Sequence, residues 1–193
     1  MNTLITRSVS AAALVACLSL TGCLTDSKGG VSVALTTKTL TGGAQSNTTY
    51  GSSIDIDDFT AHTITEAKTM TAKIDLIFAY STALAGGTSA IYSPDSAKGG
   101  VNGSAGYDFM QDFNNPNHTA MKTINVNFDN ITTKAQLDSI WDLGSPVLNG
   151  RQIVVAGTTF MARSNADLVV LIKVTSLVSG ANGSVNLVGA AKF

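Results

Sequence analysis

The chain has little of what protein chemistry usually works through. It holds two cysteines, two histidines, one tryptophan and three prolines in 193 residues. Cys17 lies inside an apolar leader, which leaves Cys23 alone in the remainder, so a disulfide or a cysteine-rich metal site within the mature chain is excluded. Stability must come from packing. His62 and His118 are far apart, and neither has a second histidine or a cysteine at ligand spacing. A serine hydrolase would set one of them beside an activated serine, yet no G-x-S-x-G elbow occurs, and Gly86-Gly87-Thr88-Ser89 reads as a turn. Charge is sparse as well, at 13% of residues, with 12 basic against 13 acidic side chains. That balance leaves no basic stripe for nucleic acid. After the leader no run is long enough to cross a bilayer; the longest, Leu168 to Val178, is broken by Lys173 and Thr175.

What is present begins with an address. Arg7 supplies a positive n-region, and Ser10 to Leu20 supply an apolar h-region of the roughly 7–15 residues expected of an export signal rather than the ~20 of a membrane span. Leu20-Thr21-Gly22-Cys23 follows at once. This run resembles the lipobox of bacterial lipoproteins, in which a small residue precedes the cysteine and the thiol is lipidated before signal peptidase II cleaves. The resemblance implies that residues 1–22 are a signal peptide, that Cys23 becomes an acylated N-terminus (diacylglyceryl thioether and amide-linked acyl group, palmitate among them), and that the membrane is a partner through this anchor. Leu24 carries none of the inner-membrane retention signal of an aspartate at that position, so the outer membrane of a cell envelope is the expected location.

The remaining chain has the length of one domain. Residues 23–30, CLTDSKGG, are small and polar and read as a lipidated tether, leaving 31–193 as a single domain. Its pattern is β. Val31, Val33 and Leu35 alternate with Ser32 and Ala34, a threonine-rich stretch continues the strand, and Gly42-Gly43 is expected to end it. Ser52 to Ile56 alternates weakly. In Lys73 to Tyr80, Ile74, Leu76, Phe78 and Tyr80 share one face while Asp75, Ile77 and Ala79 form another too apolar for open water, which predicts a central strand. Ala90-Ile91-Tyr92 is a short strand stopped at Ser93-Pro94. Ile124, Val126 and Phe128 alternate with Asn125 and Asn127 as a half-buried strand. Thr158 to Arg163, Leu168 to Val178 and Ser184 to Phe193 read as a meander whose last turn carries Asn182-Gly183. One helix stands out at about Thr133–Leu143, with a Thr133/Gln136 capping box, an apolar face of Leu137, Ile140 and Trp141, and a stop at Gly144 and Pro146; Ile64 to Met70 is a weaker second. The fold class expected is mainly β, an antiparallel β-sandwich with one short helix.

Two groups of residues invite a site. Asp55, Asp57 and Asp58 form a D-x-D-D cluster whose oxygens suit calcium, although the glycine and distal glutamate of an EF-hand loop are missing; in a strand, Asp55 and Asp57 would share the outward face by alternation alone and simply be solvated. Between Ser93 and Ala120 lies a long Gly/Asn/Ser/Asp-rich stretch, and loops of that length are commonly functional. Its Tyr107, Asp108, Gln111 and Asp112 mix rings, carboxylates and amides in the way a sugar site does, and the loop is expected to be pinned by Tyr107, Phe109 and Phe113. Trp141 reads as core. The N-x-[ST] sequons at Asn47, Asn102, Asn117, Asn130 and Asn182 read as accidents of composition. A further, weaker resemblance, carried by Gln45-Ser46-Asn47, Gly51, Asp55, Ala67-Lys68, Ile74-Asp75-Leu76 and Ser93-Pro94, is to uncharacterised β-rich envelope lipoproteins and implies no mechanism. The sequence thus points to a lipid-anchored envelope lipoprotein, a non-catalytic structural or binding module without cofactor and with an envelope protein or glycan as partner. The alternative is a glycan-binding or glycan-processing protein using Asp55, Asp57, Asp58 or Asp108.

Overall fold

Residues 32–81, 87–98, 113, 115–147 and 150–193 are described in the computed structural model of the chain. The signal peptide, Cys23 and the tether lie outside them. Two antiparallel sheets make up the fold. The first runs in the order β1 (Thr36–Gly43), β11 (Ser184–Ala191), β10 (Val169–Val178), β9 (Thr159–Arg163), β6 (Ala120–Thr123) and β7 (Ser145–Pro146). The second runs β3 (Thr60–His62), β2 (Ser53–Asp55), β4 (Leu76–Ser81), β5 (Thr88–Tyr92) and β8 (Arg151–Ile153). This is the expected mainly β sandwich, and β9, β10 and β11 are the expected meander. Pro146 sits in the edge strand β7, where its missing N–H breaks no ladder.

The alternation of side chains explains how the layers close. Ile54, Leu76, Phe78 and Ile91 from the second sheet meet Phe160, Ala162, Val170, Ile172, Val174, Val185 and Leu187 from the first. Residues of the opposite parity face outwards and are covered a second time. Outside the second sheet, Ile77, Ala79, Ala90 and Tyr92 are sealed by Ala67, Ala97 and Phe113. Ile74, expected on the face of Leu76 and Phe78, joins them because it closes the Thr71–Lys73 3₁₀ turn ahead of β4 and lies outside the strand alternation. Ala67 comes from α1 (Ile64–Ala67), capped by a Thr63/Glu66 box, and Ala97 from α2 (Pro94–Lys98). Outside the first sheet, Met161, Leu171 and Ala190 lie under Leu137 and Trp141 of α3 (Lys134–Leu143). The Thr133/Gln136 capping box of α3 and its stop at Gly144 are as the sequence predicts. Trp141 is core, with Lys122 and Arg163 stacked on its ring at 4.9 and 5.2 Å.

Three local readings need correction. Ile124 to Phe128 is not a strand: β6 ends at Thr123, and Phe128–Asn130 form a 3₁₀ turn. The in-out alternation survives, because Phe128 plugs beneath α3 while Asn125 and Asn127 stay exposed, but Asn127 accepts the Asp129 N–H at 3.1 Å as the cap of that turn. β1 does end at Gly43, as expected, with Gly42 and Gly43 still paired to Val185 and Ser184; a Cβ at Gly43 would fall 2.4 Å from the Tyr50 carbonyl, so close packing selects glycine there. In the β10–β11 turn the left-handed residue is Gly180, with φ 121°, rather than Asn182-Gly183; at Gly183 a Cβ would come within 2.0 Å of the Val178 carbonyl. Ala34 likewise leaves the sheet and bridges Thr133 at the head of α3.

Phe128→Ala should remove about 3–5 kcal/mol, the cost of emptying a core position, and Asn127→Ala about 0.5–1 kcal/mol for a lost cap. At roughly 2–4 °C per kcal/mol for a domain of this size, melting temperatures separate the two plainly. Equal melting temperatures would show that Phe128 is not the plug under α3.

Candidate functional site

Where the second sheet ends, the backbone register brings two aspartates face to face. Ser53 pairs with Ile77 and Ile54 with Leu76, so the next step sets Asp55 opposite Asp75. The Asp75 N–H bonds the Ile54 carbonyl at 2.9 Å and its Oδ2 accepts the Ile56 N–H at 3.1 Å, which fixes the pair across the strand ends. Asp55 and Asp75 are only 3% and 2% exposed. Asp57 follows in the turn to β3. Oxygens of Asp55, Asp57 and Asp75 lie within 4.8 Å of one another. Like charges directly opposed in a sheet repel, and among the described residues no lysine, arginine or histidine lies within ion-pairing distance of the three.

The sequence reading is therefore half corrected. Asp55 does not share an outward face with Asp57; it is buried, with Oδ1 accepting the Asp57 and Asp58 N–H groups at 2.9 and 3.2 Å. Asp58 stays exposed and outside the cluster, and Asp75 takes its place. The turn that arranges this is held by Phe59, whose φ of 54° is left-handed and whose ring packs 5.7 Å from that of Phe193 and over Gly189, where a Cβ would come 2.4 Å from it.

Polar residues of the first sheet close over the carboxylates. Ser164, at the end of β9, donates its hydroxyl to Asp57 Oδ1 at 2.7 Å. Asn117, leading into β6, donates to the Ala72 carbonyl at 2.8 Å and to Asp75 Oδ1 at 3.4 Å, while its own Oδ1 accepts from Asn165 at 2.6 Å. Asn117 enters the sequence reading only as an accidental sequon. Asp75 carried a stronger signal, as an acid on a face otherwise made of Ile77 and Ala79. Burial pushes the Asp75 carboxyl up to about 7, against the pull of the Ile56 N–H, and the charges of Asp57 and Asp55 push the same way.

The other candidates fall elsewhere. Tyr107, Asp108, Phe109, Gln111 and Asp112 lie outside the described residues, as does Cys23; Phe113 is fully buried against the outer face of the second sheet. His62 meets Thr60 at 3.1 Å, and exposed His118 bonds Asp95. Burial would raise Asp95, but hydrogen bonds from His118 and Ser93 outweigh it and hold the carboxyl below the usual range. A groove of about 380 Å³ beside α3 is lined by Ile124, Val126, Ile140 and Leu143, the last 83% exposed. No protein-family model, curated protein or solved structure matches the chain.

A carboxyl raised to about 7 binds its proton more tightly folded than unfolded, so its contribution is complete below pH ~4 and is lost as pH rises through 7. In chelator, the wild type should lose up to about 1.4 kcal/mol per pH unit relative to Asp75→Asn between pH 5 and 7 and no more beyond pH 8. Urea denaturation of both proteins across that range isolates this group, since they differ only at residue 75. Parallel curves would mean that Asp75 titrates normally.

Proposed function

We propose that the chain is a lipid-anchored lipoprotein of the cell envelope, held at the outer membrane through Cys23 and acting there as a non-catalytic structural or binding module. The observation that carries this reading is the coincidence, in one short stretch, of Arg7, the apolar run Ser10–Leu20 and Leu20-Thr21-Gly22-Cys23 ahead of a β-rich domain. Among the described residues no helix is long and apolar enough to cross a membrane, so in this reading the acyl chains supply the anchoring. A single chain binds only marginally at about 0.8 kcal/mol per buried methylene, and the thioether-linked pair with an amide-linked third meets the need for two or more.

The non-catalytic part of the reading is supported by the placement of the carboxylates. A glycosidase needs two carboxyl groups flanking a substrate in an open cleft, whereas Asp55 and Asp75 are buried, Asp75 with Asn117 bonded to it. A binding role fits better with the exposed apolar groove beside α3 and with the Tyr107–Asp112 stretch, which offers rings and amides to a glycan or an envelope protein.

Cys23→Ser should abolish incorporation of labelled palmitate and move the protein from the detergent phase to the aqueous phase on cloud-point partitioning. A variant that still partitions like the wild type would overturn the lipoprotein reading.

A further inference from the structure

The carboxylate cluster is flanked by hydroxyls that have nothing to bond. Thr119 is 1% exposed, and its Oγ1 has no partner among the described residues. Its direction follows from the register. Ala120 pairs with Arg163, so one step further Thr119 lies opposite Ser164, and opposed residues of an antiparallel pair project from the same face. Asn117, Thr119 and Met121 alternate as buried positions with exposed His118 between the first two. Thr119 is thus bracketed by Asn117, which reaches Asp75, and Ser164, which reaches Asp57, and the register sets it on their side of the strand. Ser53, fully buried and also without a partner at Oγ, lies two residues before Asp55 on the same face of β2. A buried hydroxyl left unbonded is costly, as is a buried carboxylate with no counter-charge. Both costs arise at the same place.

We propose that Asp55, Asp57 and Asp75 bind a calcium ion, with the Thr119 hydroxyl as a neutral ligand. The donor set is all oxygen, which selects a hard cation over zinc or copper. Calcium holds its oxygens at ~2.3–2.6 Å, so ligands on opposite sides of the ion stand up to about 5 Å apart, and the 4.8 Å limit on the three carboxylates already meets this. Magnesium, at ~2.0–2.1 Å with strict octahedral geometry, would need these strand ends to contract. The three negative charges exceed the charge of the ion, and the N–H groups of Ile56, Asp57 and Asp58 with the hydroxyl of Ser164 hold the remaining lone pairs. The proposal is independent of the anchor: it stands or falls whether or not Cys23 is lipidated.

The test is made on the full chain in detergent micelles, stripped with EDTA and dialysed. Calcium chloride at 1–5 mM should raise the melting temperature by several degrees through mass action, with half-saturation at or below ~10⁻³ M, and magnesium chloride should do much less. Asp57→Asn, which keeps an acceptor for Ser164, should lose the calcium shift. Thr119→Val should fold, melt higher than the wild type without calcium because an unbonded hydroxyl is gone, and bind calcium several-fold more weakly by titration calorimetry. Absence of heat and of any shift with calcium, a shift of equal size with magnesium, or wild-type calcium affinity in Asp57→Asn or Thr119→Val would each overturn the assignment.

Discussion

A strand buried on both faces has to be covered twice, and β4 imposes that requirement on the whole domain. Leu76 and Phe78 drive the second sheet against the first, while Ile77 and Ala79 would lie bare without a further layer. The chain supplies it locally. α1 and α2 are four and five residues long and would not persist alone; Ala67, Ala97 and Phe113 are held by the surface they cover. The first sheet solves the same problem with one longer helix, and the cations Lys122 and Arg163 extend over Trp141 to close its margin. The domain therefore has a shared core between the sheets and a satellite on each outer face.

That double covering puts an acid where acids are rarely found. Asp75 immediately precedes β4, one residue before Leu76, on the face that Ile77 continues, and any layer deep enough to cover Ile77 also shuts Asp75 away from water. β2 then brings Asp55 into the opposite position. An arrangement in which one carboxyl keeps its proton and one in which a cation lies among the three and offsets most of their charge answer the same electrostatic demand. They differ in consequence: the proton leaves Thr119 and Ser53 without partners, and the cation satisfies Thr119.

The period of two was readable wherever both neighbours of a strand were apolar or its alternation was long. It gave β4, β9, β10 and β11, and the capping box gave α3, because each of these signals is local. Ile124 to Phe128 shows the limit. Its side chains alternate as in a strand, yet Asn125 and Asn127 find no ladder partner, and the Asn127 side chain turns the backbone to seat Phe128 under α3. Short edge strands such as β3, β7 and β8 carry too few residues for a pattern. The site was legible in part for the same reason: Asp55 and Asp57 are neighbours in sequence, whereas Asp75, Asn117, Thr119 and Ser164 join them only through pairing register, a long-range fact. An acid inside an apolar alternation was the available clue.

The cluster matters beyond its own residues because of what it joins. Asp57 bonds Ser164, and Asp75 bonds Asn117, so the tip of the second sheet is tied to the tip of the first at this point. Asn165 extends the tie through Asn117, and the Asn117 carbonyl accepts from Asp95 at the start of α2. Changing the charge at three carboxylates therefore acts on the joint between layers and on the helix that covers Ile77, not on a solvated surface. Surface ion pairs contribute little and are screened; a buried charge balance at a joint is felt by every element it connects. In a domain without a disulfide, that joint lets a small change in solution, a proton or a cation, reach the packing of both sheets together.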